Sequence, residues 1–61
     1  MVWVVQVLQS ARLQQFLKAN PNLKPGHQNR FMVRFFFDEK LNAVEVKKKL
    51  ANFHAHMFRE V

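Results

Sequence analysis

Two apolar runs restrict the folds that this chain can adopt. Residues 2–8 and 30–37 are dense in β-branched and aromatic side chains. Such side chains lose less conformational freedom in an extended backbone than in a helix. We therefore predict strands over about 2–8 and about 29–37. For the first run, a helix over residues 2–20 is the alternative.

The second run predicts a strand with two different faces. Successive side chains of a strand point to opposite sides, so alternate residues share a face. One face is wholly apolar and consists of Phe31, Val33, Phe35 and Phe37. The other is mixed and consists of Met32, Arg34 and Phe36. We expect the apolar face to be covered.

A short helix and a turn are predicted between the two strands. Ser10 can cap a helix over about 10–20 by accepting a hydrogen bond from a free backbone N–H, and Pro21 ends it. Residues 21–28 contain turn-forming residues, and Gly26 can take the positive φ of a type II turn. The chain between the strands therefore predicts a helical crossover.

A long second helix is predicted over about 39–60. Apolar residues recur there at spacings of three and four, as on one face of a helix. This stripe consists of Ala43, Val46, Leu50, Phe53, Met57 and Val61. A second apolar strip, predicted to contact an oligomer or another partner, consists of Val44, Ala51, Ala55 and Phe58. The alternative for residues 43–47 is the return strand of a hairpin.

The predicted elements make a single small α+β domain over residues 1–61, a two-layer β-α-β-α unit. A helical crossover normally places neighbouring strands parallel. Two such strands leave both sheet edges unpaired, and an isolated two-stranded sheet is marginally stable. We therefore expect a partner or a second protomer to complete the strands.

The charge indicates a polyanionic partner. Ten Lys and Arg stand against four acids, which gives a net charge of +6. Basic and aromatic residues are interleaved between Arg30 and Phe37, and this combination can neutralise phosphates and stack on bases. RNA or DNA is the predicted partner, with RNA favoured, and the residues predicted to bind it are Lys24, Arg30, Arg34, Lys47, Lys48, Lys49, Trp3 and Phe36.

The runs around Trp3 and Arg34 resemble in part the paired sheet motifs of RNA-recognition domains. Met32 and Arg34 stand where the second motif of that family has glycines, and the chain is short for its four strands. A resemblance this partial identifies no family. Phosphate contacts position a nucleic acid without specifying its sequence, so we expect binding with little sequence preference.

Catalysis and metal binding are not expected. The chain has no Cys, Thr or Tyr nucleophile and no obvious carboxylate pair, and one glycine cannot make a Gly-rich phosphate loop. His54 and His56 lie about 200° apart on a helix and would share one side only in an extended segment. We therefore predict no catalytic residue, cofactor, metal site or small-molecule substrate.

Three functions of different classes remain. The leading one is a small basic binding module that contacts RNA or DNA mainly through phosphates, as a ribonucleoprotein subunit or a dimer. The alternative is a protein-assembly subunit that docks through apolar helix strips and open strand edges. The third, an amphipathic membrane helix over residues 40–61, is disfavoured by Glu45 and Glu60.

Targeting signals are not evident. The run Met1 to Leu8 is too short to span a bilayer and lacks the charged region of a signal peptide. The lack of Cys is compatible with a reducing compartment. We therefore expect neither a signal peptide nor a transmembrane segment, and we predict no particular cellular compartment.

Overall fold

A computed structural model describes residues 1–60 and shows a four-stranded antiparallel sheet with two helices on one face. The elements are β1 (Val2–Leu8), α1 (Ala11–Ala19), β2 (His27–Gln28), β3 (Met32–Phe37), α2 (Lys40–Lys49), a 3-10 turn (Ala51–Phe53) and β4 (His56–Glu60). The strands lie in the order β2-β3-β1-β4, which is the arrangement of the split βαβ motif. The predicted small α+β class is confirmed.

The pairing of β1 with β3 is antiparallel, so the expectation of parallel neighbours is wrong. Trp3 lies opposite Phe37, and Leu8 lies opposite Met32. The crossover through α1 leads to β2 at the sheet edge, and the chain then reverses into β3 beside β1. The two-residue strand β2 was not predicted, because no apolar pattern can be recognised over two residues.

The first strand and helix match their predictions closely. β1 covers Val2–Leu8 as expected, which excludes the alternative helix over residues 2–20. The Ser10 hydroxyl accepts a hydrogen bond from the Leu13 N–H at 3.0 Å and so caps α1. The β-branched run and the cap residue are local signals, and tertiary packing did not override them here.

Gly26 serves a different purpose from the predicted one. Its φ is not positive, so a type II turn does not explain it. Its N–H donates to the Arg34 carbonyl at 2.9 Å, which brings its backbone against β3. A side chain at this position would overlap the Phe36 ring. The glycine is required for this close approach and not for a special dihedral angle.

The predicted helix over about 39–60 is wrong beyond residue 49. α2 ends at Lys49, and His54 takes the left-handed conformation at φ 57° and ψ 53°. This conformation ends the short 3-10 turn, and the chain then enters β4, which pairs with β1. Residues 43–47 are helical, which excludes the hairpin alternative. Val61, assigned to the helix stripe, lies outside the described residues.

The core lies between the two helices and one face of the sheet. Its buried residues are Val5, Val7, Leu13, Val33, Phe35, Ala43, Val46 and Leu50. Phe31 was expected in this core but precedes β3, and 64% of its surface is exposed. The chain thus closes one face of its own sheet with its own helices.

Within residues 1–60, no helix covers the other face of the sheet, which we call the open face. It is made by the side chains that alternate with the core residues along each strand. They are Val2, Val4, Gln6, Leu8, His27, Met32, Arg34, Phe36, His56, Phe58 and Glu60.

The single long helix that the membrane hypothesis requires is not formed over residues 40–60, because α2 ends at Lys49. α2 has ten residues, and its Ala43 and Val46 are buried in the core. Among residues 1–60, none of the helices combines the length and the apolar character needed to cross a bilayer. Ala43 and Val46 therefore belong to the domain interior.

Candidate nucleic-acid interface

Two exposed aromatic rings flank the centre of the open face. The strand register places Val4 of β1 between Phe36 of β3 and Phe58 of β4. Val4 is fully buried although it lies on the open face, while Phe36 and Phe58 are 43% and 38% exposed. The neighbouring side chains on the sheet therefore shield Val4. The two rings belong to strands about 10 Å apart, at the usual strand spacing.

A polar row runs beside these rings. Arg34 lies opposite Gln6, Gln6 lies opposite His56, and His27 lies on the far side of Arg34. The Arg34 Nε–H donates to the Gln6 Oε1 at 2.9 Å. The guanidinium carbon of Arg34 lies 5.9 Å from the centroid of the Phe58 ring. Arg34 is therefore held across β1, and the hydrogen bond to Gln6 uses one of its five N–H donors.

A shallow depression of about 300 Å³ lies at the end of the open face where β3 begins. Its lining residues are Gln6, Val7, Leu8, Phe31, Met32, His54 and His56. The Arg30 guanidinium lies 5.3 Å from the centroid of the Phe31 ring, which places a positive charge at the rim. This volume is at the lower end of the range for small-ligand pockets. The depression combines an exposed aromatic ring with amide and imidazole groups.

Arg34 and Phe36 lie on the open face, and Arg30 lies beside it next to Phe31. Trp3 lies on the helix-bearing face and packs against the core. Lys40 Nζ and the Arg59 guanidinium lie 5.4 Å and 5.8 Å from the Trp3 ring centroid. The structure therefore separates Trp3 from Phe36 on opposite faces of the sheet.

The predicted lysines lie away from the open face. Lys47, Lys48 and Lys49 form the exposed last turn of α2 on the helix-bearing side. Lys24 lies in the loop after α1 and lines a depression together with Lys18. The eight predicted residues therefore do not form one surface.

Three of the four predicted interface residues come together beside β4. Val44, Ala51 and Ala55 line a groove of about 400 Å³ together with Met57, and Lys47 and Lys48 line it as well. Phe58, the fourth, lies on the open face. The helical spacing grouped Phe58 with these residues, but β4 turns it to the opposite side of the sheet.

Sequence reasoning did not place Gln6, His56 and Phe58 on the open face. A signal existed, because His56, Phe58 and Glu60 alternate with Ala55, Met57 and Arg59, as in a strand. The helical stripe through Phe53 and Met57 fits the same residues. The strand was therefore hidden by a competing periodicity.

The two C-terminal histidines lie around the start of β4. His56 begins β4, and His54 precedes it in the left-handed conformation. Both line the depression on the open face. Within residues 1–60, no group of three or more His, Cys, Asp or Glu side chains could hold a metal ion. Their imidazoles are available as hydrogen-bond donors and acceptors.

The chain matches no model of a known protein family, and no curated protein or solved structure shows significant similarity to it.

Proposed function

We propose that the open face binds single-stranded nucleic acid. The observation that supports this most is the pair of exposed rings, Phe36 and Phe58, which flank Val4 and lie beside the row that holds the tethered Arg34. Aromatic faces stack on bases, and nearby guanidinium groups neutralise phosphates. Both groups occur together on the open face.

The arrangement favours a single strand over a duplex. Bases in a duplex are stacked on each other, so their faces cannot reach flat aromatic rings on a sheet. Unpaired bases can lie on Phe36 and Phe58 while the backbone passes Arg34. Among the acidic residues of the range 1–60, Glu60 is the one that the strand register places on the open face. It lies at a corner of that face, opposite Val2.

RNA is the form of nucleic acid that we propose. Gln6, His27 and His56 place an amide and two imidazoles beside Arg34. These groups can donate to or accept from a ribose 2′-hydroxyl, which DNA lacks. The protein would thus act as a non-catalytic RNA-binding module, alone or in a ribonucleoprotein.

The test is binding of a short single-stranded RNA, measured by fluorescence anisotropy over a series of salt concentrations. The logarithm of affinity should fall linearly with the logarithm of salt, by about 0.7 for each phosphate neutralised. Phe36→Leu and Phe58→Leu should each weaken binding about 5- to 150-fold, because stacking contributes about 1–3 kcal/mol per base. A matched single-stranded DNA tests the preference for RNA.

Leu41→Ala is the control, because Leu41 is 75% exposed on α2, on the other side of the sheet. It should leave both affinity and salt dependence unchanged. Thermal melts of each variant separate lost binding from lost folding. A flat salt response, or equal affinity for all three variants and the unmodified chain, would contradict the proposal.

Protein assembly is the second candidate function. It is supported by the groove that Val44, Ala51 and Ala55 line beside the edge strand β4. Molecular mass measured by light scattering, with and without RNA, separates the two functions. A stable oligomer that is indifferent to RNA would favour assembly, whereas a monomer that binds RNA would favour the first proposal.

A further inference from the structure

The two edges of the sheet differ in length. β2 closes one edge with two residues, His27–Gln28, whereas β4 closes the other with five, His56–Glu60. β4 pairs with β1 along one side. The backbone N–H and C=O groups on the other side of an edge strand can pair with a further strand. Of the two edges, β4 therefore offers the longer template for strand addition.

We propose that β4 pairs with β4 of a second copy of this chain, antiparallel and centred on Phe58. A two-fold axis at this position places Phe58 opposite Phe58 of the second copy. His56 then lies opposite Glu60 of the second copy, and Met57 lies opposite Arg59 of the second copy. This specifies the second candidate function and does not depend on RNA binding.

The side chains of β4 are complementary in this register. The imidazole N–H of His56 faces a carboxylate that can accept it, and this pair occurs twice by symmetry. The two Phe58 rings meet at the centre, and aromatic pairs are among the favourable cross-strand pairs. No like charges of β4 lie opposite each other.

Neighbouring registers fit less well. Centring the pair on Arg59 would place two guanidinium groups opposite each other and would pair three residues of each β4 strand. Centring it on Met57 would place Glu60 opposite His54, whose left-handed backbone cannot continue a ladder. The register centred on Phe58 pairs all five residues of β4 with the same five of the second copy.

The dimer would have one continuous eight-stranded sheet with four helices on one side. A two-fold axis perpendicular to the sheet keeps the two open faces on the same side. The Phe58 rings then lie at the centre, and Arg34 and Phe36 of each copy lie farther out. Each dimer would present twice the open face of one chain.

Cysteine crosslinking without RNA tests the register, because the chain has no native cysteine. Directly opposed residues of an antiparallel pair have Cα atoms about 4.5–5.5 Å apart, within disulfide range. Phe58→Cys should therefore form a covalent dimer under mild oxidation. Gln15→Cys, on the exposed surface of α1, is the matched control and should stay largely monomeric.

A mixture of His56→Cys and Glu60→Cys gives a second readout that keeps Phe58. The two single variants should crosslink to each other. Each alone should not, because residue 56 of one copy would lie about 14 Å from residue 56 of the other at the usual rise of a strand. Crosslinking of Phe58→Cys at the rate of Gln15→Cys, or of either single variant with itself, would overturn the register.

Sedimentation equilibrium of disulfide-free variants tests the side-chain pairing. Glu60→Lys should raise the dimer dissociation constant roughly 3- to 10-fold, because it removes two favourable cross-strand pairs. Adding His56→Glu to Glu60→Lys restores an acid opposite a base and should recover most of the affinity. A monomeric unmodified chain, or a double variant no better than Glu60→Lys, would overturn the proposal. RNA binding by that monomer would leave the proposed RNA function intact.

Discussion

A single exposed ring connects the turn before β2 to the proposed interface. The Gly26 backbone approaches the Phe36 ring so closely that a Cβ atom would overlap it. Phe36 is 43% exposed, so its ring has room to move toward solvent. The conformation of the turn therefore determines where the Phe36 ring lies on the open face.

Gly26→Ala should weaken RNA binding while leaving stability within about 1 kcal/mol, because its φ is not positive and the displaced ring is partly exposed. The affinity loss should match that of Phe36→Leu. The Gly26→Ala, Phe36→Leu double variant should bind no more weakly than Phe36→Leu alone, since both changes act on one contact. Additive losses in anisotropy titrations would show that Gly26 acts through another residue.

At the residue scale, the sequence indicated which kinds of side chain form the proposed interface better than it indicated on which face of the sheet each one lies. Arg34 and Phe36 were assigned to the interface and share the open face. Trp3 was assigned with them but lies on the other side, because the register pairs it with Phe37 of the core face. Both faces of β1 carry apolar residues, so alternation could not show which face the helices cover.

At the scale of elements, strong local signals were sufficient for β1, α1 and most of β3. They were insufficient for β4, where one residue changes the path of the chain. His54 is the non-glycine residue with positive φ among residues 1–60, and it separates the 3-10 turn from β4. The pairing of β4 with β1 is a long-range interaction, which helical spacing over Phe53 and Met57 cannot reveal.

The free energy of unfolding should therefore depend on how readily the residue at position 54 adopts a positive φ. His54→Val should lower the free energy of unfolding by about 1–2 kcal/mol, because β-branched residues disfavour the left-handed region. His54→Gly should be neutral or stabilising, since glycine adopts positive φ without steric cost. His56→Val is the matched control, because it falls within a strand and should be tolerated. Urea denaturation would contradict this account if both valine variants were equally stable.

Leu50 connects α2 to the core at the point where the helix ends. Leu50 follows the last residue of α2 and is fully buried, whereas Leu41 in the first turn of α2 is 75% exposed. Leu50→Ala should cost about 2–5 kcal/mol and Leu41→Ala less than about 0.5 kcal/mol. Native domains of 61 residues are stable by about 3–9 kcal/mol, so Leu50→Ala should bring this one close to unfolding. Equal shifts of the melting temperature would contradict the assigned core.

At the scale of the whole molecule, the fold supplies more of its own sheet than two predicted strands suggested. β2 and β4 flank the two central strands, and the helices close one face. The sequence pattern alone could not reveal this, because β2 is too short and β4 resembles a helix. Within the described residues, the open face and the outer edge of β4 have no covering element. The open face is the proposed RNA-binding surface, and the β4 edge is the proposed dimer contact.

The positive charge lies on both sides of the sheet, and the two sides should act differently on RNA. Lys47, Lys48 and Lys49 lie on the helix-bearing side, whereas Arg34 lies on the open face. Distant charges attract a polyanion through the solvent and are screened beyond about 10 Å at 0.1 M salt. A contacting charge acts through the phosphate that it neutralises.

Replacing the three lysines by glutamine lowers the net charge from +6 to +3, whereas Arg34→Gln lowers it from +6 to +5. The triple variant should slow association at low salt and approach the unmodified affinity at high salt, with a nearly unchanged salt slope. Arg34→Gln should weaken binding at both salt concentrations and reduce the slope by about 0.7. Stopped-flow association rates and equilibrium titrations measure both effects. If the salt slope fell more in the triple lysine variant than in Arg34→Gln, the RNA would lie along α2. The open face would then not be the RNA-binding surface.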